Sequence, residues 1–305
     1  MIVKARYILL FSVLVLLAAC NEPAKDPNAE TMNSGSVVVW CDEEMIVLLK
    51  PQIDLFISKN PAVKIELRSS SSREAMEALL ARKARIVLLS RGYLQDEDSL
   101  MKAYKVEPHR TLDLATDALV FYAPKSFPSD TLSVEALREY FRNAVPLSRA
   151  VKGLTGETSV AVPSALSGVV GNIMIQCCGG RALNAKAKVQ VCGSTDSVKR
   201  YVRSHQNTIG AGMLSDLIRD TAEFKLLGIK YTDTDGNRRS MKVEQSAVYR
   251  EMYPYPAKIR AYLLENLRNL PMGLAAFLAY EPEPQKYFLQ KGIVPAYARI
   301  QLYEE

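Results

Sequence analysis

The feature that most constrains this chain is a regular alternation of short apolar runs with amphipathic segments, beginning at Ser36. Ser36–Cys41 (SVVVWC) is a continuous apolar run of strand length, the pattern of a strand covered on both faces of a parallel sheet. Asp42 then opens a helix that sets Met45, Leu48, Leu49, Ile53, Phe56 and Ile57 on one side and ends at Asn60-Pro61. Val63–Leu67 is expected as the next strand, Arg73–Arg82 as a helix carrying Met76, Leu79 and Leu80, and Ile86–Leu89 as a third strand. Strand, helix, strand, helix, strand in about fifty residues implies right-handed crossovers and an α/β fold with a parallel sheet.

A second cluster follows the same grammar. Ala118–Ala123, Ser159–Val162, Lys188–Val191 and Thr208–Met213 read as strands, with helices over Val134–Arg142, from the turn Pro163–Gly168, and over Ser194–Ser204. Lys225–Tyr231 and Lys242–Tyr249 read as strands around an Asp235-Gly236 turn. Helices are expected over Lys258–Leu267, Met272–Leu278 and Gln285–Lys291, and a last strand over Ala296–Leu302. Two α/β clusters joined by extended segments imply two lobes with a ligand cleft between them.

The N-terminus sets the compartment. Lys4 and Arg6 precede an apolar run, Tyr7 to Leu17, too short to span a bilayer, and it closes on Leu17-Ala18-Ala19-Cys20. That is the form of a lipoprotein signal peptide over residues 1–19, with Cys20 as the lipid attachment site. Residues 20–35 are polar, hold Pro23 and Pro27, and read as a flexible tether. The expected place is the bacterial cell envelope, lipid-anchored outside the cytoplasm.

Composition narrows the function. The 305 residues are 48% apolar and 24% charged, as in ordinary folded domains. The formal charge is +6, and the leader's Lys4 and Arg6 leave about +4 for the remainder, interspersed with acids. No basic stripe or reader motif points to nucleic acid. With two histidines and no CxxC, neither a zinc site nor a Cys/His nucleophile is expected. No cofactor fingerprint is present, and the reading is binding rather than catalysis. An exported compartment permits a disulfide from Cys192 to Cys177 or Cys178.

Ligands of a doubly wound sheet lie beyond the carboxyl ends of its strands, where helix N-termini favour oxyanions. Four segments sit there. Asp42 and Glu43 follow the first strand, either as dipole-complementing helix starters or facing a ligand's proton. Ser69–Ser72 follow the second; Ser71-x-x-Glu74 has the form of a capping box, and Ser70 and Ser71 add hydroxyls to an oxyanion cradle. Ser90-Arg91 follow the third, and Arg91 has the fork to clamp a carboxylate or phosphate, or to form an ion pair between elements. From the second cluster, Ser164, Ser167 and Gly168 open a helix whose amides face the cleft.

In order and spacing these pieces resemble the phosphate-binding proteins of ABC importers, with the periplasmic binding protein type II fold, including lipoproteins of Bacteroidetes. The matching stretches are Val39-Trp40-Cys41-Asp42-Glu43-Glu44, Phe56–Pro61, Arg85–Arg91 with Asp96-Glu97, Ala115–Val120, Leu132–Phe141 and Thr208–Gly212. Met252-Tyr253-Pro254, Gly273–Phe277 and Gly292–Pro295 complete them. The resemblance implies two lobes, each a doubly wound, mainly parallel sheet flanked by helices: 36–116 plus 225–305, and 117–224. It implies hinges near Leu114–Ala118 and Ala222–Tyr231, a small anion such as phosphate as ligand, an ABC permease as partner, and a monomer. The chain departs from the family where acids replace the Ser/Thr-rich first loop at Asp42-Glu43-Glu44. It departs again at Pro163, where an arginine precedes the family's Ser-Gly-Thr, here Ser167-Gly168-Val169. The alternative these departures leave is an envelope accessory or scaffold lipoprotein that kept the fold but not phosphate binding.

Overall fold

The computed structural model describes residues 30–297 except 155 and 219. The expected signal peptide, the expected lipid site at Cys20 and most of the expected tether lie outside the described residues.

The first sheet is built from apolar runs that are buried because helices cover both faces. It takes β1 (Gly35–Asp42), β2 (Val63–Ser70) and β3 (Ile86–Leu89), with β1 parallel to both. After β1 comes one 3-10 turn, Glu43–Met45, then α1 (Ile46–Lys59); α2 (Ser72–Leu80) follows β2, and α3 (Gln95–Ala103) follows β3. All four residues of β3 are buried, and its period of two divides them between two cores. Ile86 and Leu88 join the core beneath α1, while Val87 and Leu89 pack with Met76 and Leu79 of α2.

One long strand, β4 (Arg110–Pro124), joins the halves of the molecule. The second half adds β5 (Thr131–Ser133), α4 (Val134–Asn143), β6 (Ser159–Val162), α5 (Gly168–Cys178), β7 (Val189–Val191), α6 (Thr195–Ser204), β8 (Thr208–Met213) and α7 (Leu214–Leu217). Then come β9 (Phe224–Leu226), β10 (Gly228–Thr232), β11 (Arg238–Met241), α8 (Gln245–Tyr249), β12 (Pro256–Leu263), α9 (Leu270–Tyr280), α10 (Pro282–Gln290) and β13 (Val294–Pro295). The strand order β2-β1-β3-β12-β4-β8-β6-β7 forms one curled, mixed sheet path, with β13 and β9 also paired to β4. Residues 110–118 of β4 pair with β12 and residues 119–122 with β8, so the lobes meet within a single strand. Asp117 sits fully buried at that change of partner. Its carboxylate accepts the Ala118 amide at 2.7 Å, the Ser215 amide at 3.2 Å and the Ser215 hydroxyl at 2.5 Å.

Several sequence expectations are corrected. Lys258–Leu267 is not a helix: most of it lies in β12, where Ala257, Ile259 and Ala261 are buried between the outward Lys258 and Arg260. Lys242–Tyr249 is not a strand; β11 ends at Met241 and Gln245–Tyr249 is helical. Residues 224–241 pair with the far half of β4 and with β5, in the second lobe rather than the first. The return crossing therefore lies between β11 and β12, downstream of Ala222–Tyr231. The tether ends sooner than residue 35, because Glu30 is clamped by Arg85 at 2.7 and 2.9 Å and Met32 packs on the core. Cys41, Cys177, Cys178 and Cys192 are all free thiols. The expected strand at Ala296–Leu302 falls largely outside the described residues.

Candidate functional site

The ends of β1, β2 and β3 and the start of α5 converge between the lobes. Asp42 closes β1, fully buried, and its register partner is Ser70 at the end of β2. Ser90 follows β3. From the second lobe comes the first turn of α5, capped by Ser167, whose Oγ accepts the Val170 amide at 3.2 Å. A helix start leaves amides unpaired and partially positive, which suits an oxyanion.

A carboxyl group from the chain itself sits there. Glu44 Oε2 accepts the Val169 amide at 3.0 Å, across the cleft. Beside it, Asp42 Oδ2 accepts from the Ser90 hydroxyl at 3.4 Å. Glycine permits this approach: a β-carbon at Gly168 would overlap Asp42 Oδ2 and lie 2.5 Å from Ser90 Oγ. One turn on, a β-carbon at Gly171 would overlap Arg91 Cδ. The seat is thus filled by side chains. Open volume lies beside it, about 590 Å³ lined by Arg138, Gln176, Lys258 and Arg260, and about 540 Å³ lined by Leu94, Leu166, Val170 and Met174.

Burial is the largest influence on both carboxyls. Burial pushes Asp42 up to about 7, offset in part by the Glu44 amide, the Arg91 charge and the Ser90 hydroxyl and reinforced by Glu43. Burial, then the neighbouring Asp42, raises Glu44 well above the usual carboxylate range. Asp42 Oδ1 and Glu44 Oε1 are buried without a hydrogen-bond partner. Such oxygens favour the protonated acid or a donor brought from outside.

Arg91 does not face this seat as a free clamp. Only 2% exposed, it donates all five of its N–H groups within the first lobe. Nε bonds Ser72 Oγ at 2.5 Å; one terminal nitrogen bonds Glu97 Oε2 and the Gly92 carbonyl, both at 2.8 Å; the other bonds Glu97 Oε1 at 2.8 Å and the Ser72 carbonyl at 3.2 Å. The ion-pair alternative left open for Arg91 is the one the fold adopts, with Glu97 from the first turn of α3.

The other expected residues divide. Ser70 is half-buried beside Asp42 with an unpartnered hydroxyl, and Ser90, Ser167 and Gly168 are at the seat. Ser71 instead caps α2, with its amide and hydroxyl both given to Glu74. Ser164 Oγ accepts the Leu166 amide at 3.2 Å, within its own turn. Glu43 is exposed. Glu44 and Asn172 were not among the expected site residues. A three-residue-per-turn start after β1 sends Glu43 to solvent and the next carboxyl inward. Asn172, one turn into α5, bridges the lobes by donating to the Ser90 carbonyl at 3.0 Å. Arg73 N to Leu166 O (3.1 Å), Gln95 N to Gly180 O (3.1 Å) and Gln176 Nε2 to Pro256 O (2.9 Å) close the cleft further.

Among the described residues no group of three or more His, Cys, Asp or Glu is placed to hold a metal ion, and no helix is long and apolar enough to cross a membrane. One curled sheet that passes between lobes within a single long strand, with polar strand ends facing a helix start across a cleft, defines a bilobed binding-protein architecture. The chain belongs to the PBP superfamily: the model of the PBP superfamily domain matches residues 26–281. Among solved structures it is similar to a protein described as a phosphate ABC transporter substrate-binding protein, with bound phosphate, from Clostridium perfringens. That likeness has a TM-score of 0.67 and 17% identity, over 86% of this chain and 99% of that one. It is also similar to an ABC-type phosphate transport receptor from Vibrio cholerae, with TM-score 0.65 and 15% identity over 85% and 99% of the two chains. For PstS from Borrelia burgdorferi the values are 0.56 and 13%, over 86% and 99%. At these identities the likeness is one of fold. No curated protein matches.

Proposed function

We propose that this chain is an extracytoplasmic solute-binding protein of the importer type, with a seat for phosphate or a similar small oxyanion between its lobes. One observation carries the reading: the Ser167-capped start of α5 already gives its Val169 amide to an acid oxygen from across the cleft, Glu44 Oε2. Family membership and the phosphate named for the similar structures support it. In this reading the mature chain is anchored through lipid on Cys20, works as a monomer by binding rather than catalysis, needs no cofactor, and passes its solute to an ABC permease.

The same observation favours a second reading. A seat filled from within is what an accessory or scaffold lipoprotein would keep after phosphate binding was lost.

The test is a thermal-shift titration of the full chain, stripped of carried-over ligand, with phosphate, sulfate and a panel of organic anions. Phosphate at 100 times its Kd should add about 2.7 kcal/mol of stability. A saturable shift with phosphate, reduced in Ser167→Ala, is the expected result. A flat response to every anion would remove the oxyanion reading and favour the accessory protein. Arg91→Ala is no probe of binding here, because that arginine is engaged within its own lobe.

A further inference from the structure

We infer that Glu44 is a resident ligand of the oxyanion seat: its carboxyl oxygen holds the lobes together, and an incoming anion must displace it. The claim about closure stands on the geometry; the identity of the displacing anion rests on the oxyanion reading above.

Glu44 leaves the first lobe directly after β1, and the amide it reaches belongs to the second lobe. Its contact is therefore between lobes. It sits where a bound anion would, at a helix start of eleven residues whose first turn is already organised by Ser167. The neighbouring bridges, Arg73 to Leu166 and Asn172 to Ser90, can form only when the two faces are this close.

The occupancy is also incomplete. Glu44 Oε1 and Asp42 Oδ1 remain buried without partners, an expense of the self-occupied state that an open, hydrated cleft does not carry. The closed form is thus held by a contact within reach of displacement. A solute then competes with a tethered rival, and its apparent affinity falls by the fraction of molecules whose seat is empty. Deleting the rival restores the intrinsic affinity.

The experiment is hydrogen exchange on the full-length chain in detergent, stripped of anions, comparing wild type, Glu44→Ala, Glu44→Gln and Glu43→Ala, with phosphate calorimetry on each. Residues 164–172 and 69–76 report the cleft; β4 and β12 report the intact fold. Wild type should show a protected cleft without phosphate. Glu44→Ala should lose that protection about tenfold or more while β4 and β12 stay protected, and should bind phosphate about tenfold or more tightly than wild type. Glu44→Gln keeps an acceptor for the Val169 amide and should stay protected, as should Glu43→Ala. A cleft equally protected in wild type and Glu44→Ala overturns the inference. So does equal phosphate affinity in the two, which would leave the oxyanion reading standing. A cleft that opens in Glu44→Ala without phosphate binding keeps the closure and removes phosphate as the solute. If Glu44→Ala does not fold, Glu44→Asp, one methylene short of the amide, should show the same loss, and full protection there overturns the inference.

Discussion

Arg91 and Glu97 form an ion pair with each side chain about 1% exposed, 2.8 Å apart at both contacts. Removing one partner of such a pair leaves a desolvated charge. Glu97→Ala should therefore lower unfolding free energy by about 3–5 kcal/mol, read from the urea midpoint; a loss below 1 kcal/mol would show that water reaches Arg91. Asp42 gives the pH dependence its sign. In the unfolded chain its carboxyl releases the proton near 3.8, but burial in the fold holds it to about 7. Between those values the folded state binds more protons, so stability falls as pH rises from about 4 to 7 and recovers as pH falls. Glu44, raised by burial, and Asp117, raised by burial to about 6, act in the same direction. Asp42→Asn should flatten this slope and be the more stable form at pH 8, as urea melts across the range would measure. A wild-type stability rising steadily from pH 4 to 7 would contradict the assignment. The sequence exposed Arg91 as a residue beyond a buried strand, but not the glutamate six positions on that turns back to take its fork. Likewise Asp42-Glu43-Glu44 announced acids at the cleft, while the 3-10 turn, invisible in composition, decides which of them faces inward.

At the scale of elements, α5 matters most. Gly168 and Gly171 lie one turn apart and let the side chains of the first lobe, Asp42, Ser90 and Arg91, press against its backbone. Gly168→Ala should wedge the cleft, costing about 1–3 kcal/mol in the closed form. Faster exchange at residues 164–172 with intact protection in β4 would be the expected sign, and unchanged exchange would show the contact to be looser than it stands. Elements whose periodicity and length agreed were legible: β3 and β6 fall on the expected residues, and α2, α4 and α6 within about two. β12 was not, although Ala257, Ile259 and Ala261 alternate with Lys258 and Arg260 in a strand's period of two. The charged residues and the leucines after Tyr262 imitate a helix, and only pairing between β3 and β4 resolves the ambiguity.

At the scale of the molecule, the lobes are linked by β4 and by the return between β11 and β12, and the cleft is shut by hydrogen bonds from both sides. Hinge closure around a solute brings two such faces together. The fold was legible because the order of strands and helices is written in the apolar pattern; the Glu44 contact was not, because it depends on which carboxyl crosses between distant segments. The most direct measurement is a crystal structure of the protein purified free of phosphate and sulfate. Closed lobes, Glu44 Oε2 hydrogen-bonded to the Val169 amide, and no anion at the start of α5 are the expected result. Open lobes with water on that amide, or a retained anion with Glu44 turned to solvent, would contradict it.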